Sequence, residues 1–106
     1  MRANFFNRLN LKNNSRTVDA GGPCNEWEEG EAYADIALVT VKQGGVVARS
    51  SGTVRVWPND DEWWLPAQSA GQLQRGNARA DATLTVYRAN GDVVYQGPWG
   101  LDLQLN

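Results

Sequence analysis

Two runs of carboxylates are the groups in this sequence best suited to chemistry. Asp60, Asp61 and Glu62 form one, and Glu26, Glu28, Glu29 and Glu31 form the other. Two carboxyls at a set separation can hydrolyse a glycosidic bond, one as acid and the other as nucleophile or base. The signal is weak, because exposed charge runs are usually solvated and 106 residues leave little room for a cleft. A small carboxylate-dependent hydrolase is therefore the remote reading, and a non-enzymatic protein is expected.

Most other chemistries are excluded by composition. The chain has no histidine, so the usual general base and commonest metal ligand are missing, and no Ser-His-Asp or Cys-His arrangement can form. The single cysteine, Cys24, cannot build a zinc or iron–sulfur site. Its neighbours, Pro23 and several glutamates, would raise a thiol pKa, which makes it a bystander. No glycine-rich phosphate loop or calcium loop occurs. Neither a metal nor a cofactor is expected.

The aromatic residues are the main anomaly: five tryptophans, Trp27, Trp57, Trp63, Trp64 and Trp99, all in or beside turns and strand ends. Trp57 and Trp99 read as plugs for the open ends of a β-sandwich. Trp63 and Trp64 are adjacent, so on a strand one ring enters the core and the other faces out. An outward ring beside Asn59, Asp60 and Asp61 can stack on a sugar or receive a protein partner. These residues are the ligand or partner candidates.

Charge divides the chain. Residues 1–18 carry Arg2, Arg8, Lys12 and Arg16 with no acid, and residues 19–35 carry six acids with no base. Residues 1–25 read as a basic, Asn-rich arm and linker whose Phe5-to-Leu9 spacing is compatible with a partial helix. Phe5, Phe6, Arg8 and Leu9 are its interface candidates, and the acidic run is a docking partner for it, in the same chain or in a neighbour. A single β domain is expected from residue 26 to residue 106.

Tyr33 to Lys42 has apolar residues on both parities, as in a strand covered on both faces or one at the centre of a sandwich. A Gly44-Gly45 turn leads to Val46–Arg49, and Ser50-Ser51-Gly52 reads as a bulge or corner before Thr53–Trp57. Glu62–Leu65 is a short strand that Pro66 confines to an edge. Ala78 to Arg88 alternates cleanly, with Arg79 and Tyr87 on its polar face. Asn90-Gly91 predicts a type I′ hairpin into Val93–Gln96. Gly97-Pro98-Trp99-Gly100 reads as another turn before Leu101 to Asn106. About seven short strands without a helix predict an all-β antiparallel sandwich, with a small closed barrel as the alternative.

The longest near-apolar run, Ile36 to Val41, is too short to cross a bilayer. The first twenty residues lack the apolar stretch of a secretory signal, so a cytoplasmic chain without membrane contact is expected. Net charge is −2, which gives no strong nucleic-acid footprint. The resulting expectation is a protein-interaction or assembly domain forming a homo-oligomer. A carbohydrate-binding module using an exposed tryptophan is the alternative.

Overall fold

A computed structural model describes all 106 residues. The protein is all-β: β1 (Arg2–Ala3), β2 (Arg8–Leu9), β3 (Leu11–Lys12), β4 (Thr17–Val18), β5 (Gly21–Asn25), β6 (Tyr33–Gln43), β7 (Val46–Ser50), β8 (Thr53–Val56), β9 (Glu62–Trp64), β10 (Ala67–Gln68), β11 (Gly76–Tyr87) and β12 (Val93–Leu105). One sheet runs β2-β12-β11-β6-β7-β10-β4-β3, with β8 also paired to β6, and a second runs β1-β5-β9.

The two expected architectures are joined in one molecule. β2 and β3 are consecutive parts of one short segment, which pairs in parallel with β12 on one side and antiparallel with β4 on the other. Residues 8–12 therefore close the large sheet into a small barrel at one end. At the other end β12, β11, β6 and β8 face the three-stranded sheet as a sandwich. Phe5, Trp63 and Trp99 lock the two layers, with ring centroids 5.2–5.8 Å apart. Around them Cys24, Ile36, Val56 and Leu84 complete a continuous core.

β6 passes between the two halves through a bulge. Leu38 takes a φ of 56°, and the β6–β11 register shifts there. Ala34 and Ile36 are buried before it, Val39 and Val41 after it. The apolar residues on both parities thus reflect a change of inward face, not the double coverage expected. Ser50, at the predicted corner, accepts the Val39 amide on its hydroxyl (3.0 Å).

Three further expectations need correction. The segment read as arm and linker, with partial helix, is strand and turn woven into both sheets. Phe5, Leu9, Val18, Ala20 and Cys24 belong to the core. Two of its asparagines serve a turn: Asn13 and Asn14, followed by Ser15, have positive φ, which asparagine tolerates better than most residues. Gly97–Gly100 is not a turn, because β12 runs unbroken through it. Finally, the hairpin at Asn90-Gly91 is not type I′. Only Gly91 has positive φ (90°), while the Asn90 side chain accepts the Asp92 amide (3.0 Å).

Pro98 explains the continuity of β12. The Gln104 and Asn106 amides donate away from β11, to Asn7 and Leu9, and the β11–β12 register is regular from 76/105 to 86/95. By strand alternation Gln96, Pro98, Gly100 and Asp102 also direct their N–H and C=O groups away from β11. The missing proline donor falls on the outer edge, where it costs the ladder nothing.

Candidate binding surfaces

The first surface is the seam beside β12. β2 covers only Gln104 and Leu105 on the outer edge of this thirteen-residue strand. At Asn7 the N-terminal segment turns away to β5, where the Phe6 and Asn4 amides donate to Gly21 and Pro23. Above that point the outer edge of β12 has no strand partner. Between it and β1 lies a cavity of about 300 Å³, lined by Met1, Ala3, Leu84, Tyr95, Pro98 and Trp99 among others. Gly97 pairs with Leu84 and carries no side chain, so the core is reachable from this edge. The Tyr95 ring lies where a Cβ on Gly97 would be. The Trp99 Nε1 donor is buried without a partner. Val93, Val94 and Tyr95 are all exposed, Val93 by 56%.

A second surface lies on the outer face of the four-stranded half. Tyr33 pairs with Tyr87, and Tyr87 with Val93. Trp57 packs on Tyr33 from the other side (5.2 Å), so Trp57, Tyr33, Tyr87 and Val93 form an apolar row across the sheet. The next row is polar. Arg55 donates twice to Asp35 (2.8 and 3.0 Å), and its guanidinium lies 4.3 Å above Tyr33. The Asp35 carboxylate raises the Arg55 pKa further. The Tyr33 ring is covered by Trp57, Tyr87 and Arg55, so the row is a packed ridge.

The third surface is the outer face of the small sheet. Trp64 is 50% exposed, pairs with Gly21 and lies against it so closely that a Cβ on Gly21 would collide with the indole. Phe6 flanks it, with centroids 5.5 Å apart. The Trp64 Nε1 donates to Glu62 (3.3 Å).

The candidate residues separate accordingly. Trp63 and Trp64 do face opposite ways, but Trp63 is core, and its indole N–H donates to the Asn4 carbonyl (2.9 Å). Trp63 is therefore withdrawn as a ligand residue. Asn59 and Asp61 are exposed, while Asp60 caps its own loop by accepting the Trp57 amide (2.9 Å). Phe5 and Leu9 are buried within their own chain and offer nothing to a partner; Phe6 is partly exposed and Arg8 exposed. Trp57 is not a plug but lies 47% exposed on the outer ridge. Acidic and basic runs pair within the chain: Lys12 with Asp19 (2.6 Å), Arg2 with Glu26 (3.8 Å) and the amino terminus with Glu31. Arg79 pairs with Asp81 and Asp102, far along β11 from Tyr87. Tyr87 lies on the outer face, as the alternation of its strand predicts, and Tyr33, which the sequence did not single out, lies beside it. Each ends a legible strand, but their meeting depends on a strand register that a single sequence does not carry.

No family model matches the sequence, and no curated protein matches it. Among solved structures the chain is similar to the CooA pilin subunit from enterotoxigenic Escherichia coli, at 9% identity and a TM-score of 0.45, over 93% of this chain and 87% of that one. At that TM-score the likeness carries no argument.

Proposed function

We propose that this chain is a non-enzymatic protein-interaction domain that assembles with copies of itself through the outer edge of β12. The free edge carries the reading, because unpaired N–H and C=O groups template another strand. The edge is compatible with a two-fold. In an antiparallel pair with Pro98 opposite the partner's Gly100, Gln96, Gly100 and Asp102 of each copy all donate, and only the two bonds that the two prolines cannot make are lost. Val93 links this edge to the ridge of Trp57, Tyr33 and Tyr87, and tyrosine, tryptophan and arginine are the residues that dominate interface energetics. Within the two carboxylate runs Glu26 and Glu31 pair with cations, Asp60 accepts a backbone amide and Glu62 an indole N–H, which supports binding over hydrolysis.

Sedimentation velocity over a hundredfold range of concentration tests this. The wild type is expected to shift from monomer to dimer mass. Gln96→Pro removes one outward donor and keeps the backbone ladder to β11, losing only the side-chain bond from Gln96 to the Thr85 hydroxyl (2.9 Å); it is expected to stay monomeric with an unchanged near-UV spectrum. A wild type that remains monomeric throughout, or a folded Gln96→Pro variant that associates as the wild type does, overturns the proposal.

A further inference from the structure

On a different face, and independently of self-assembly, we infer that Trp64, Gly21 and Phe6 form a stacking platform for a neutral sugar ring. Three observations carry this.

The first is ring orientation. Trp64 lies against the backbone of Gly21, a position where any side chain would displace the indole. The six-membered ring of the indole therefore lies against the Gly21 backbone, and half of the side chain is open to water with the Phe6 ring tilted beside it (5.5 Å, 39°). This differs from Tyr33 and Tyr87, whose faces are already stacked on one another. A flat indole suits the C–H face of a pyranose, which is apolar and slightly positive against the negative π-face.

The second is size. A half-exposed indole with an adjoining phenyl offers on the order of 100–200 Å². A stable protein interface takes about 800 Å² from each partner. The area fits one or two sugar rings and falls well short of a protein.

The third is the rim. Glu62 shares the outer face with Trp64, two residues away on β9, and opposes Pro23 on β5. Asn4 is exposed beside Pro23 and donates its backbone amide to the Pro23 carbonyl (3.1 Å). A carboxylate and an amide next to the rings can accept and donate hydrogen bonds to sugar hydroxyls. With Asp61 also exposed, the rim repels anionic glycans and selects neutral ones.

Affinity electrophoresis of the intact chain tests this, through gels containing hydroxyethylcellulose, galactomannan or, as acidic control, polygalacturonate. Retardation by at least one neutral polymer and none by polygalacturonate is expected. Trp64→Ala is expected to weaken retention at least tenfold, Trp64→Phe to keep part of it, and Trp57→Ala to keep all of it. Glu62→Gln, which spares the rings, is expected to weaken retention several-fold and serves if Trp64→Ala fails to fold. No retardation by either neutral polymer overturns the inference, as does retention by folded Trp64→Ala or by Glu62→Gln at the wild-type level.

Discussion

The Gln104 amide donates to the Asn7 carbonyl across 2.9 Å, and above that bond, toward Val93, the outer edge of β12 is unpaired. This contact separates the closed barrel from the open sandwich. Below it, residues 8–12 bridge β12 to β4; above it, the same chain serves the small sheet instead. Alternation then dictates a pattern in amide exchange. In dilute solution Gln96, Gly100 and Asp102 are expected to exchange at near-coil rates, while Gly97, Trp99 and Leu101, bonded to β11, are protected. Exchange NMR checks this residue by residue, and protection of the first set in the monomer would contradict the open edge.

Leu38 carries two costs, a left-handed backbone (φ 56°) and a side chain 72% exposed. Glycine adopts this conformation without Cβ strain, which is worth about 1–2 kcal/mol, against an entropy cost of about 0.5–1 kcal/mol. Leu38→Gly is therefore expected to leave stability unchanged or raise it by up to about 1 kcal/mol. Leu38→Val, β-branched at the same φ, is expected to lower it. Urea unfolding at equilibrium measures both.

Phe5 stands in the middle of the core although it is the fifth residue of the sequence. It contacts Trp63 and Trp99 at 5.3 and 5.2 Å. Phe5→Ala is expected to cost about 3–5 kcal/mol, a large share of a small domain's stability. Thermal and urea denaturation test it. A change below about 1 kcal/mol would return these residues to the status of a detachable arm.

Gly21 has no room for a methyl group beneath Trp64. Gly21→Ala is expected to lift the indole and cost about 1–3 kcal/mol. Red-shifted, more quenchable tryptophan emission would accompany the loss, and unchanged emission would mean that the ring does not rest on this backbone.

Burial pushes the Cys24 thiol pKa up, and Asp60, Asp61 and Glu62 push it further. The folded state therefore holds the thiol proton to higher pH than the unfolded chain does. The stability this contributes is complete below the unfolded thiol's ordinary value and is lost as pH rises above about 9. Native Cys24 is expected to react with thiol reagents only as fast as the protein opens. Cys24→Ala is expected to flatten the alkaline decline in stability, which denaturant titrations between pH 8 and 10.5 would reveal.

Local pattern was enough for much of the fold. Alternation placed Ala78 to Val86 on the core face of one long strand, set Val54 and Val56 against Arg55 and Trp57, and sent Trp63 and Trp64 to opposite faces, because the strand period of two is written in consecutive residues. Composition alone removed Ser-His-Asp and Cys-His arrangements and multi-cysteine metal sites. Other features needed the folded chain. Asn-rich residues 1–25 have too few periodic apolar positions to read as strands, yet short pieces of them pair wherever a longer strand supplies the partner. Pro98 reads locally as a turn, and only its place on an unpaired edge makes it compatible with a strand. The parity switch at Leu38, the meeting of Tyr33 with Tyr87 and the bed of Gly21 under Trp64 all depend on cross-strand register. That register is decided by the packing of the whole core, not by any neighbouring residues in sequence.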